Sequence, residues 1–171
     1  NSFFFSSHYK LGAKLPQCAP LLGQARVLSA DAMTAIRRSN DVARVEADGR
    51  VQPQHVLRAI HEQTGGAGVR LLARLRTDRD ALYLLQGGTR SADAARVPSQ
   101  AVLLSASTVA VIARAAEEAF ALGSPQVDTD HLLLGLLRST ESAACRYLAC
   151  VGLRLEDARI AALEQALASK P

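Results

Sequence analysis

The chain has 171 residues, 49% of them hydrophobic, and a formal net charge of +4. This length allows one sizeable core or two small ones, and the abundance of Ala and Leu favours helix over sheet. Its basic residues are scattered among acidic ones and no apolar run approaches the ~20 residues that span a bilayer, so we expect neither nucleic acid nor membrane as a partner.

Residues 1–25 form an N-terminal extension that holds four of the chain's seven aromatic residues, Phe3, Phe4, Phe5 and Tyr9. Neighbouring side chains of an extended segment alternate sides, so three consecutive aromatics cannot all face one core. A short apolar plug between serines suits a preformed pocket on a partner, which makes these residues candidate protein-binding residues. The alternatives are that the segment folds back on its own bundle or adopts no fixed structure.

An internal repeat follows the extension. Sliding the sequence by 76 residues places Ile36 on Ile112, His55 on His131, and several other residues on identical ones. The repeat predicts an all-α fold of two pseudo-symmetric four-helix copies, eight helices in all. The copies cover residues 26–86 and 103–171, with a Gly- and Ser-containing linker at 87–102. Because each unit alone would be marginally stable, we expect the copies to share an interface.

In the first copy, Ser29 or Asp31 caps the first helix and Pro53 begins the second. Gly65 and Gly66 open the turn before the third helix. The residues expected to face the core lie at helical spacing and are Met33, Ile36, Ala43, Val69, Leu72 and Leu75.

In the second copy, Ser105 caps the first helix and Gly123 ends it. Thr129 caps a short, nearly all-apolar helix that belongs in the centre of a bundle. Ser139 or Thr140 opens the third helix, Gly152 ends it, and the fourth begins near Glu156. The expected inward-facing residues are Val109, Ile112, Ala116, Phe120, Ala144, Leu148, Val151, Ile160, Leu163 and Leu167, with Arg114 and Glu118 forming an outer i,i+4 pair.

Histidines and cysteines are the residues that could indicate catalysis or metal binding. His55 and His131 occupy equivalent positions early in the second helix of each copy, where a histidine can hydrogen-bond a neighbouring loop, so we interpret both as structural. Three cysteines without framework spacing indicate a reducing compartment, and Cys145 is expected to be a small core residue. We therefore expect no catalytic residue, metal or cofactor.

The string from Thr129 to Leu137, Thr-Asp-His-Leu-Leu-Leu-Gly-Leu-Leu, resembles the Clp N-terminal repeat, the double helical module ahead of the ATPase rings of Clp chaperones. That family usually has Glu in place of Asp130. The resemblance covers about residues 27–168, and residues 54–57 are a weaker version of the same string. It implies a helical protein-binding module. The 171 residues contain no Gly-Lys-Ser/Thr phosphate loop, so ATP hydrolysis by that route is excluded for this chain.

Within the family, the aromatic extension is similar to that of the plastid ClpT accessory subunits. This resemblance implies a non-catalytic subunit of the chloroplast stroma that binds the ClpP/ClpR rings of the Clp protease and supports their assembly or their coupling to a Clp AAA+ chaperone. The alternative is a substrate- or adaptor-binding N-terminal domain of a ClpC- or ClpB-type chaperone. A third alternative, a small helical enzyme, would need convergent polar groups in a pocket.

Four residues match positions that read phosphorylated arginine in the N-terminal domains of bacterial ClpC: Ser29, Gln54, Ser105 and Asp130. The resemblance implies a peptide or phosphoarginine site there. The family has Glu where this chain has Gln54 and Asp130, so one acid is lost and the other shortened. Helix capping is the interpretation we prefer for Ser29 and Ser105.

Overall fold

The computed structural model describes residues 27–46, 49–85 and 103–168. The predicted extension and linker lie outside these ranges. The first copy contains, in chain order, β1 (Val27–Leu28), α1 (Ala30–Val45), β2 (Arg50–Val51), α2 (Pro53–His61), α3 (Ala67–Arg74) and α4 (Arg79–Leu85).

The second copy repeats this order as β3 (Leu103–Leu104), α5 (Ala106–Ala121), β4 (Gln126–Val127), α6 (Thr129–Leu137), α7 (Ala143–Cys150) and α8 (Leu155–Ala168). Every element begins 76 residues after its counterpart, so the repeat and the all-α fold are confirmed. None of the helices in the described ranges is long and apolar enough to cross a membrane.

Local capping explains why the helices begin and end where they do. The Ser29 hydroxyl accepts the Ala32 N–H at 3.1 Å, and the Ser105 hydroxyl accepts the Thr108 N–H at the same distance. Gly123 ends α5 with a φ of 67°, a conformation that favours glycine. Two cap assignments were wrong: Asp128 caps α6, one residue before Thr129, and Ser142 rather than Ser139 or Thr140 caps α7.

The four strands, which the sequence analysis did not predict, join the two copies. β1 pairs in parallel with β4, and β2 pairs in parallel with β3. The ladders continue into the helix caps, since the Ser29 N–H donates to the Val127 carbonyl and the Ser105 N–H to the Val51 carbonyl, both at 2.9 Å. The start of each copy is therefore anchored beside the second helix of the other copy.

One hydrophobic core contains residues of both copies, and the expected shared interface is present. All nine residues of α6 are buried, as expected for the central helix. α5 packs chiefly on α6 and α1 on α2, while α3 also contacts α6 and α7 contacts α2. At the α5–α6 crossing, a Cβ atom on Gly135 would lie 2.5 Å from the Val111 carbonyl oxygen. Glycine thus lets the two helix backbones approach closely.

The inward face predicted for α8 was wrong, and the one predicted for α5 was wrong in part, since Ile112 and Ala116 do pack against the core. In α5 the buried residues are Thr108, Val111, Ala115, Glu118 and Ala119, whereas Phe120 is exposed. In α8 only the alanines Ala158, Ala161 and Ala162 are buried, and the large residues Ile160, Leu163 and Leu167 are exposed. Both helices are apolar on more than one face, so helical spacing alone could not select the face that packs.

Candidate protein-binding surface

The aromatic residues Phe3, Phe4, Phe5 and Tyr9 lie outside the described residues, and their protein-binding role stays a prediction. The other four predicted site residues lie at helix starts. The structure groups Ser29 with the start of α6, because its hydroxyl donates to Asp128 Oδ1 at 2.9 Å. It groups Ser105 with β2, because the Thr108 hydroxyl beside it donates to the Val51 carbonyl at 2.7 Å.

Gln54 and Asp130 occupy the first turns of α2 and α6. Gln54 is half-buried, and Asp130 is buried, with Oδ1 accepting the His131 N–H at 2.8 Å. Burial raises the pKa of the Asp130 carboxyl, and the adjacent His131 opposes that shift. The Ser29 hydroxyl is used in helix capping, as we preferred from the sequence. A phosphoarginine-binding role for the four residues stays a prediction.

His55 and His131 have structural contacts. Nδ1 of His55 accepts the Gln52 N–H at 3.0 Å, and Nδ1 of His131 accepts the Asp128 N–H at 2.9 Å. Each histidine therefore satisfies a backbone donor at the start of its helix, as capping residues do. In residues 27–46, 49–85 and 103–168, no group of three or more His, Cys, Asp or Glu side chains is placed to hold a metal.

Cys145 is half-buried rather than a core residue, and its thiol donates to the Leu137 carbonyl at 3.3 Å. Burial raises the pKa of the Cys145 thiol, with Arg146 acting in the opposite direction. The thiolate form, which is the reactive one, is therefore disfavoured.

His61, at the end of α2, is a buried histidine that the sequence analysis did not single out. Neither ring nitrogen has a hydrogen-bond partner among the described residues, and the ring centroid lies 6.1 Å from that of Tyr83. Burial, followed by the charge of Arg79, lowers the pKa of His61 below its usual 6.5, while the backbone of Arg79 and the charges of Glu62 and Asp80 act in the opposite direction.

His61 should make the stability depend on pH. The native state binds a proton at His61 less readily than the unfolded chain does. The stability that neutral His61 contributes is therefore complete above about pH 6.5, and it is lost as the pH falls through the pKa of His61 in the folded protein. One proton gives a slope of at most about 1.4 kcal/mol per pH unit. In a His61→Leu variant, which introduces the residue of the equivalent position Leu137, urea unfolding should show a shallower decline between about pH 7.5 and pH 5. An identical decline in both proteins would contradict this assignment.

A groove of about 400 Å³ lies between the end of α5 and α8 and is here called the α5–α8 groove. Exposed apolar side chains lie in its lining and at Phe120, next in sequence to the lining residue Ala121. Phe120 on α5 is 58% exposed, and Ile160 and Leu163 on α8 are 59% and 46% exposed. The groove lies between two helices and has both charged and apolar walls. Its lining residues are Glu117, Glu118, Ala121, Leu122, Arg138, Arg159, Ile160 and Leu163.

A buried carboxylate fixes the floor of the groove. Glu118 is buried, accepts a hydrogen bond from Arg159 Nη2 at 2.6 Å, and lies 3.2 Å from Arg138 Nη1. The hydrogen bond to Glu118 raises the pKa of the Arg159 guanidinium. Arg114 donates instead to the Ser139 hydroxyl at 2.6 Å, so the structure replaces the predicted Arg114–Glu118 pair with long-range pairs. The ion pair of Glu118 and Arg159 thereby joins α5 to α8.

The first copy differs from the second at the end of its first helix, α1. At the positions of Phe120 and Leu122 the first copy has Arg44 and Glu46. Arg44 pairs with Asp41, and Glu46 pairs with the buried Arg58 at 2.7 Å. Both copies form the same helices, so an apolar residue at the position of Phe120 is not needed for the fold. On the last helix the two copies are alike, because Leu84, at the position of Ile160, is 73% exposed. Exposed apolar clusters of this kind are typical of protein-binding sites.

Comparison with known proteins identifies a family and solved structures that match this chain. The sequence model of the Clp repeat (R) N-terminal domain family matches residues 27–151 and again residues 103–171. Among curated proteins, none matches the chain.

Solved structures share the fold. A chain from a malarial protein secretion system superposes with a TM-score of 0.68 at 18% identity, covering 85% of this chain and 97% of that one. The Hsp104 N-terminal domain from Candida albicans gives 0.63 at 19% identity, with 81% and 91% covered. The N-terminal domain of the chaperone ClpD from Arabidopsis thaliana gives 0.57 at 22% identity, with 81% and 93% covered.

Proposed function

The chain belongs to the Clp repeat N-terminal domain family, and from this premise we propose that it is a non-catalytic accessory subunit of the chloroplast Clp protease. In this role it binds the ClpP/ClpR rings in the stroma and supports their assembly or their coupling to a Clp chaperone. It does so through protein contacts alone.

The α5–α8 groove is the observation that carries this proposal. It presents the large apolar side chains of Ile160 and Leu163 to solvent beside the ion pair of Glu118 and Arg159. Buried aromatic and aliphatic anchors supply most of the binding energy at protein interfaces. The groove therefore supports a binding role, and the helical scaffold holds it rigidly.

The aromatic cluster at Phe3, Phe4 and Phe5 supplies the second contact. By the family resemblance, Clp chaperones dock short hydrophobic segments into clefts between protease subunits, and this cluster suits such a cleft. Rigid aromatic rings bury a large area at a low cost in side-chain entropy.

Co-purification with an assembled Clp protease core tests the proposal. The triple variant Phe3→Ala, Phe4→Ala, Phe5→Ala should bind the core at least about 30-fold more weakly, which corresponds to the loss of ~2 kcal/mol expected for hot-spot aromatics. A matched control removes three apolar residues of the same segment, Leu11→Ala, Leu15→Ala and Leu21→Ala, and should retain binding. Unchanged association of the aromatic variant would refute docking by these residues. No association of the intact chain would refute the accessory role.

The second candidate is a substrate- or adaptor-binding domain of a Clp chaperone. The observation that favours it is the shared fold with the N-terminal domains of Hsp104 and ClpD. It predicts binding to an unfolded model polypeptide in the absence of any protease ring, and the same preparations can be assayed for that activity.

A further inference from the structure

The N-terminal segment, residues 1–26, enters the described structure close to the α5–α8 groove. Val27 of β1 pairs with Gln126 of β4, and Gln126 lies only four residues after Leu122, a residue of the groove wall. Because β1 and β4 run parallel, Val27 lies at the end of the sheet where the chain arrives from α5. Four residues span at most about 14 Å, so the entry point and the groove are neighbours.

We propose that the α5–α8 groove holds the aromatic segment Phe3–Phe5 of the same chain when no partner is bound. This deepens the proposed function, since it names the occupant of the binding surface in the free protein. A partner that takes the aromatic segment would then uncover the groove.

The length of the chain permits this contact. The 21 residues between Phe5 and Val27 can extend over about 70 Å, far more than the distance to the groove. A flexible connection of this length gives the aromatic segment an effective concentration of roughly 1 mM at the groove. A contact with a dissociation constant of ~100 μM would then be closed in about nine of ten molecules.

The chemistry of the segment matches that of the groove. In an extended segment the first and third of three residues share a side, so two aromatic rings can enter a cavity of about 400 Å³ together. The segment also carries three basic residues, Lys10, Lys14 and Arg26, and no acidic one. It therefore brings no negative charge that the buried Glu118 in the groove lining would repel.

The other copy provides an internal comparison. Residues 86–102 precede β3 in the sequence, and β3 pairs with β2 just beyond the end of α1. That segment contains no aromatic residue and no Leu, and the corresponding end of α1 carries the charged residues Arg44 and Glu46. A leading segment with aromatic residues thus accompanies Phe120 and Leu122, and a leading segment without them accompanies Arg44 and Glu46.

Tryptophan fluorescence tests the contact, because the chain contains no tryptophan of its own. In the full-length Phe5→Trp protein, the emission should be blue-shifted and poorly quenched by acrylamide. Adding Ile160→Ser and Leu163→Ser should shift the emission to that of an exposed indole and raise the quenching constant several-fold. Both residues are already exposed, so the fold should persist, and circular dichroism verifies this.

Leu84→Ser is the matched control. Leu84 is 73% exposed, stands at the position of Ile160 in the first copy, and lies outside the groove. It should leave the fluorescence unchanged. An exposed tryptophan in the Phe5→Trp protein, or a buried one that the groove substitutions do not affect, would overturn the proposal. Burial that disappears on dilution would overturn it as well, because it would identify a second copy as the occupant. These measurements need no protease core, so their failure is distinct from failure of the proposed function.

Discussion

Gly135→Ala should lower the free energy of unfolding by about 2–3 kcal/mol, the upper range for overpacking a core. The added Cβ would lie 2.5 Å from the Val111 carbonyl oxygen and 3.0 Å from the Ala115 nitrogen. Both are backbone atoms of α5, so no side-chain rotation relieves the contact and the two helices must separate. Urea unfolding followed by circular dichroism measures the loss.

The equivalent position of the first copy, Ala59, provides the control for Gly135. Alanine is favoured over glycine inside a helix by about 1 kcal/mol, so backbone propensity alone predicts that Gly135→Ala stabilises the protein. Ala59→Gly should cost about 1 kcal/mol or more, since it removes that propensity and a buried methyl group. If the close contact between α5 and α6 outweighs helix propensity, both substitutions destabilise the protein. A gain in stability for Gly135→Ala would show that the α5–α6 crossing adapts to a side chain.

Arg58→Ala should destabilise the protein by about 2–4 kcal/mol, because a buried charged group that is well paired is removed from both its partners. Arg58 is 3% exposed; its Nη1 lies 2.7 Å from Glu46 and its Nε 3.0 Å from Glu62. Glu46 also lies 3.0 Å from Nε2 of His55. Because Glu46 and Glu62 are partly exposed, water can solvate them after the substitution. The loss of stability is therefore smaller than for a fully buried charge left without a partner.

The second copy supplies the control substitutions for this cluster. Leu134 and Leu122 stand at the positions of Arg58 and Glu46. A protein carrying both Arg58→Leu and Glu46→Leu should therefore lose less stability than the sum of the two single variants, by about 0.5–3 kcal/mol. A double-mutant cycle from urea unfolding measures this coupling. Strict additivity would show that the ion pair contributes nothing to the fold.

The order of the helices could be predicted from the sequence because the repeat shows the same helix pattern in two copies. The caps at Ser29 and Ser105, the stop at Gly123 and the central position of α6 depend on local residue chemistry, and each agrees with the structure. The strands escaped prediction because two residues are too few to show a period. Their pairing also joins segments far apart in the chain.

The groove escaped prediction for a related reason. α8 offers both an alanine face and an Ile/Leu face, and hydrophobicity favours burying the larger residues. The structure buries Ala158, Ala161 and Ala162 instead. Glu118 could not be placed from the sequence either, because its partner Arg159 lies 41 residues away. The aromatic residues Phe3, Phe4 and Phe5 could be singled out from sequence, and their contacts await the experiments above.

The exchanged strands have a consequence for how such a chain can evolve. β1 of the first copy pairs with β4 of the second, and β3 of the second copy pairs with β2 of the first. Neither copy can therefore form its strand pairs without the other. Deleting one copy would remove half of every ladder and open the common core, whereas cutting the chain between Leu85 and Leu103 should leave two fragments that remain associated. Selection therefore acts on the pair, and one copy is free to acquire a binding face only while the other continues to hold its strand.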